Sequence, residues 1–170
     1  MGLTAYVYIG AGGRSFRKRC FAMSRRRVLA AGVFDILHYG HLRFLEEAKK
    51  AGGEGAELIV VVARDSTVLK LKGRKPIFPE ELRRALVEAL KPVDQAVLGY
   101  EDMNIEGVLE DLKPDVVALG YDQDHLEKAV REAAKKKGLS IEIVRLGRYG
   151  PKELNSSSKI ARKLLESEPL

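Results

Sequence analysis

A chain of 170 residues with 45% hydrophobic side chains has the length of one domain and enough apolar material for a core, while no stretch approaches the roughly 18 consecutive apolar residues of a membrane span. The single cysteine, Cys20, excludes an internal disulfide and a cysteine-based zinc site, and it fits a reducing cytoplasm. The net charge of +6 points toward nucleic acid, but seven basic side chains fall within residues 1–27 with no Asp or Glu among them, and setting these aside leaves 23 basic against 24 acidic residues in a near-neutral body.

Residues 1–26 are expected to form a basic, disordered extension, rich in Gly, Ser and Arg from Gly10 to Arg19 and without periodicity. It lacks the apolar core and cleavage pattern of a secretory signal. Met23 stands just ahead of the first strand, so translation is expected to start there; an intact mass matching residues 1–170 would sink that expectation.

From Arg27 the chain alternates in type. Val28 to Gly32 reads as a short buried strand, and His41 to Ala51 as a helix with Leu42, Leu45 and Ala48 three apart, broken by Gly52, Gly53 and Gly55. Leu58 to Ala63 is an unbroken aliphatic run, the pattern of a parallel strand buried on both faces. A basic loop is expected from Lys70 to Lys75. Pro79 then opens a helix reaching Leu90, with Leu82, Leu86 and Leu90 as its inner face. Gln95 to Leu98 is a strand, Ile105 to Leu112 a helix ended by Pro114, and Asp115 to Leu119 a strand. Asp124 to Lys137 is a helix stopped by Gly138, with Leu126, Ala129, Val130 and Ala133 on one face, and Ile141 to Leu146 is a strand. Asn155 or Ser156 caps a last helix with Ile160, Leu164 and Leu165 facing inward. Strands alternating with helices predict one Rossmann-like α/β domain over 27–170: a parallel sheet with helices on both faces and a ligand crevice at the strand carboxyl ends.

The most informative stretch is Gly32-Val33-Phe34-Asp35-Ile36-Leu37-His38-Tyr39-Gly40-His41. His38 and His41, three apart at a helix start, bring two imidazoles to the free N–H groups and positive dipole end that favour anions. Gly40 between them admits a close backbone approach. Metal binding is the competing use of two histidines, but no Cys, Asp or Glu stands at matching spacing on that face, so phosphate is preferred.

This stretch resembles the signature of the cytidylyltransferase-like nucleotidyltransferases, G-T/V-F-D-x-x-H-x-G-H, and the resemblance extends over residues 27 to about 166. It implies the fold of that family and a reaction without a covalent intermediate, in which an acceptor phosphate attacks the α-phosphate of a nucleoside triphosphate. By the same resemblance, His38 and His41 contact the triphosphate, Val33 and Phe34 offer backbone contacts to the nucleotide, and a divalent cation (Mg or Co) bridges substrate phosphates with no protein metal site. Lys72, and after it Arg74, meets the phosphates of both substrates; the plain alternative is a solvated charge cluster. Asp122, in Gly120-Tyr121-Asp122-Gln123, lies against the nucleoside. Ser156 and Ser157, in Asn155-Ser156-Ser157-Ser158, hold phosphate at a helix start, where simple capping is the alternative. The related glycerol-phosphate cytidylyltransferases carry R-T-x-G-I-S-T-T here; this chain has Leu154 for the glycine and Pro151 for the arginine, leaving Arg148 or Lys152 as the replacement.

Three runs are similar to the archaeal FAD synthases: Ala63 to Val68, Lys72 to Ile77, and Val87 to Asp94. Leu119-Gly120 with Asp122-Gln123, and Ile143 to Arg145 followed by Tyr149, share that likeness, which puts Tyr149 near the nucleotide. The implied activity is transfer of AMP from ATP to FMN, in the cytoplasm, by a homodimer with no membrane or nucleic-acid partner. Those enzymes often carry C-terminal cysteines; none follows Cys20 here, so redox control through them is not expected. A glycerol-3-phosphate cytidylyltransferase is the alternative enzyme, and an α/β protein binding nucleic acid through its basic extension is the alternative of another class.

Overall fold

The computed structural model describes residues 25–166. Most of the expected basic extension, with Cys20 and the Met23 start, lies outside the described residues. The elements in chain order are β1 (Arg27–Gly32), α1 (Tyr39–Ala51), β2 (Glu57–Val62), α2 (Asp65–Lys72), α3 (Glu80–Glu88), β3 (Gln95–Leu98), α4 (Ile105–Leu112), β4 (Val116–Leu119), α5 (Asp124–Lys137), β5 (Glu142–Arg145) and α6 (Ser157–Glu166). All five strands pair in parallel in the order β3-β2-β1-β4-β5. The chain starts at the centre, runs to one edge, then returns to the other side of β1. The crossovers of β1 and β4 therefore leave in opposite directions, and a crevice opens at their carboxyl ends.

Alternation along the strands divides the core in two. Val28, Ala30, Val60, Val62, Val116 and Ala118 point to one side, where Leu45 and Ala48 of α1 and Val87 of α3 meet them. Leu29, Ile59, Val61, Val117 and Leu119 point to the other, against Leu109 of α4 and Val130 and Ala133 of α5. The expected parallel sheet covered on both faces is the fold observed.

Three local expectations are corrected. The basic stretch from Lys70 is not all loop: α2 runs through Lys72 and ends at Gly73 in the left-handed conformation, φ 67°. Its two lysines in the last turn complement the helix dipole. On α3, Leu82 and Leu86 are 53% and 43% exposed, while Arg83 and Val87 are fully buried. Leucine spacing identifies a helix, but the neighbouring stripe docks because Arg83 finds acceptors beneath it. On α6, Leu164 and Leu165 are exposed and no residue is buried. That helix brings its N-terminus to the crevice and no inner face to the core.

Candidate active site

The chain leaves β1 through a tight reversal. Phe34 has φ 51°, a left-handed conformation rare for an aromatic residue, and its buried ring folds back over Gly32. A Cβ on Gly32 would lie 2.9 Å from that ring, so this approach requires glycine. Asp35, also buried, accepts through Oδ1 from the backbone N–H groups of Ile77 (2.7 Å) and Phe78 (3.0 Å). Its carboxylate holds the α2–α3 connection down against the end of β1.

His38 is the N-cap residue of α1, and His41 lies in its first turn. The two rings stack with centroids 3.8 Å apart at 21°, and the edge of Phe34 meets His41 at 5.2 Å. The Nδ1 atoms of both histidines are buried without a hydrogen-bond partner. Buried polar atoms without a protein partner are rare in native folds, and a catalytic role is one of the reasons that retain them. Burial drives the pKa of His41 down to about 3, assisted by neighbouring His38 and the positive charge of Lys72, against a backbone hydrogen bond at Ile36. Burial lowers His38 as well. Both rings are neutral at pH 7, each with one N–H donor and one acceptor nitrogen. Gly40 is confined: a Cβ there would lie 2.9 Å from the Tyr149 carbonyl oxygen and 2.9 Å from a His38 ring carbon.

These residues border a cavity of about 540 Å³ at the β1–β4 switch point. Every site residue named from the sequence lines it: Val33, Phe34, His38, Gly40 and His41 after β1; Lys72 and Arg74 at the end of α2; Asp122 after β4; Tyr149, Ser156 and Ser157 before or in α6. The three serine hydroxyls are individually engaged. Ser156 accepts from the Lys159 N–H at 3.4 Å, the capping role; Ser157 donates to the Ile36 carbonyl at 3.3 Å; Ser158 accepts from Arg74 at 3.4 Å. Of the two basic residues left open by the sequence, Arg148 lines the cavity, its guanidinium 5.0 Å from the centre of the Tyr121 ring. The backbone carbonyl of Lys152 instead accepts from Lys159.

Two residues given no role from the sequence organise the site. Gln123 accepts from the Gly120 N–H (2.7 Å) and donates to the Ala31 carbonyl (2.9 Å), joining the carboxyl ends of β4 and β1 across the crevice. Arg83, wholly buried, donates to the carbonyls of Phe78 (2.9 Å), Val33 (2.5 Å) and Ala63 (2.7 Å) and to the Asp65 carboxylate (2.7 Å). It thereby fixes the backbone at Val33, on the cavity wall. No local signal reveals it, since the exposed leucines beside it carry the stronger helical pattern.

Comparison with known proteins places the chain among related sequences. Residues 29–163 match the family model described as cytidylyltransferase-like. The FAD synthase of Aciduliprofundum boonei is 52% identical over 140 residues, covering 82% of this chain and 91% of that protein. The FAD synthase of Methanopyrus kandleri is 53% identical over 142 residues, covering 83% and 93%. Among solved structures, a protein from Thermoplasma volcanium GSS1 described as a lipopolysaccharide core biosynthesis protein is 46% identical with a TM-score of 0.68, covering 75% of this chain and 100% of that one.

Proposed function

The chain belongs to the cytidylyltransferase-like family, and on that premise we propose that it is an FAD synthase, a nucleotidyltransferase that moves AMP from ATP to FMN. Relatives named FAD synthase, about half identical over most of both chains, supply the acceptor. The observation that carries the chemistry is the pair of buried, unpartnered Nδ1 atoms at the N-terminus of α1, with Lys72 close enough to depress His41.

In this reading the triphosphate lies over the start of α1, where the N–H groups, the dipole and the two imidazoles meet its oxygens. A phosphate oxygen of FMN attacks the α-phosphorus. The new P–O–P bond forms as the bond to the β-phosphate oxygen breaks, and pyrophosphate leaves with its electron pair. Negative charge on the transferred group favours the protonated imidazole, so the basicity of His38 and His41 rises as they are needed. Lys72 and Arg74 neutralise the acceptor phosphate and the departing pyrophosphate, and Asp122 and Tyr149 hold the nucleoside. Arg83 and Gln123 keep the surrounding backbone in place, so little reorganisation accompanies reaction.

Among the described residues no three His, Cys, Asp or Glu side chains converge as a metal site, and Asp35 is engaged by two N–H groups. In this reading a divalent cation would be held mainly by substrate phosphates, where it would offset their charge. The homodimer and the cytoplasmic location belong to the same reading; no described helix is long and apolar enough to cross a membrane.

The test is a matrix of ATP or CTP with FMN or glycerol 3-phosphate, each with Mg²⁺ or Co²⁺, resolved by chromatography. FAD formed only from ATP and FMN is the expected result. A CDP-alcohol would replace this reading with that of a cytidylyltransferase.

A further inference from the structure

The connection from β5 to α6, residues 146–156, carries Arg148 and Tyr149 to the cavity wall. Its ends are tied. The Leu146 N–H donates to the Leu119 carbonyl at 2.8 Å, and Lys159 of α6 donates to the Lys152 carbonyl and to Asn155 Oδ1. Its middle is held differently. Among the described residues, no hydrogen bond reaches the backbone of residues 147–150. Packing therefore decides where Tyr149 stands, and a segment held that way opens more readily than one on a hydrogen-bond ladder.

That packing comes from both sides of the segment. The Arg148 guanidinium sits 5.0 Å from the centre of the Tyr121 ring. The Tyr149 carbonyl lies over Gly40, where only a glycine leaves room. Gly150 has φ 91°, a left-handed conformation open to glycine. A Cβ built on it would lie 3.5 Å from Cδ1 of Tyr39, 3.7 Å from the Gly40 nitrogen and 3.8 Å from Cβ of the buried Asn155. The bare Cα is thus turned onto the first turn of α1, and the Tyr39 ring closes the outer side. Tyr39 is 59% exposed and does not line the cavity. In the signature it fills the unspecified position between His38 and Gly40. An exposed ring on a first helical turn adds little to the core, so its use lies in the glycine it leans on.

We propose that Tyr39 is a positioning residue for the nucleotide: its ring braces Gly150 from outside, and this keeps Tyr149 and Arg148 at the cavity wall. The assignment rests on the reading that this wall meets ATP. Without the ring, Gly150 recovers its freedom of φ and the segment spends part of its time away from the wall. Apparent affinity for ATP falls by the fraction of time the wall is complete, so a competent population of about one tenth weakens binding about tenfold. Once ATP is bound the wall is whole, and the chemical step proceeds as before.

Tyr39→Ala in the full chain is therefore expected to raise the Kd for ATP about tenfold, measured by calorimetry without acceptor. The kcat at saturating ATP and the melting temperature should stay near wild type. Amide exchange across residues 147–150 should quicken, and slow again when ATP is added. Tyr39→Phe keeps the ring and should restore both affinity and exchange. Should Tyr39→Ala melt well below wild type, Tyr39→Leu decides in its place. Tyr149→Ala separates this assignment from the reading beneath it. If Tyr149→Ala raises the Kd for ATP and Tyr39→Ala does not, the positioning role of Tyr39 is overturned alone. If neither variant alters that Kd, the reading that places the nucleotide at Tyr149 is overturned, and this assignment with it.

Discussion

Replacing Arg83 by Met removes a buried cation and its bonds to three carbonyls and a carboxylate while roughly keeping the volume of the chain. Acceptors left unsatisfied cost about 1–3 kcal/mol each when water cannot reach them. Here Val33, Ala63 and Asp65 are half-buried and Phe78 is exposed, so water compensates in part and the lower end applies. Four acceptors at about 1 kcal/mol give a loss on the order of 4 kcal/mol, a large part of the 5–15 kcal/mol that typically holds a domain together. At about 3 °C per kcal/mol for a domain of this size, the melting temperature should fall by about 12 °C. Arg83→Lys keeps a charge near Asp65 but cannot span all four acceptors, so it should fall between Met and wild type. Denaturant titration with a common m-value measures the loss, and steady-state assays should show kcat falling as the backbone at Val33 loosens. A Met variant within about 1 kcal/mol of wild type, with unchanged kcat, would refute the view that Arg83 holds the site together.

Removing the imidazole in His41→Ala should lower kcat on the order of a hundredfold or more with the fold intact, the usual cost of losing a donor to developing charge. Lys72→Ala should raise the KM for ATP and lower kcat together; unchanged values in either variant would remove that residue from the mechanism. Gly40→Ala puts a methyl 2.9 Å from a backbone oxygen and a His38 ring atom. That shifts the histidine pair, and a fall in kcat/KM on the order of a hundredfold is expected, with normal kinetics the contrary result. The pH dependence of stability follows from His41, whose pKa is lowered from 6.5 to about 3. Between those values the unfolded chain binds a proton that the folded chain refuses, so stability is complete above 6.5 and declines as pH falls toward 3. The slope reaches at most about 1.4 kcal/mol per pH unit for this one group. Melting curves from pH 7 to 4 should flatten in His41→Asn, and equal slopes would contradict the burial of a neutral ring.

The sequence by itself determined the fold class and which residues line the candidate site. Aliphatic runs ending in glycine, alternating with helical patterns, already require a covered parallel sheet, because only such a sheet accepts strands apolar on both faces. His38, Gly40 and His41 directly follow the first of those strands, and local spacing alone carries them to a helix N-terminus at the strand carboxyl ends. Helix faces and long-range partners were decided only by the tertiary structure. Leu82 and Arg83 are neighbours on α3, and which of them faces inward depends on carbonyls at Val33 and Ala63, distant in sequence. The same holds for Gln123, whose meaning lies in Ala31 across the sheet, and for Arg148, which lines the cavity where Lys152 does not. Periodicity reports how a segment is wound, whereas burial of a polar side chain depends on acceptors supplied by other strands, and those meet only once the sheet is assembled.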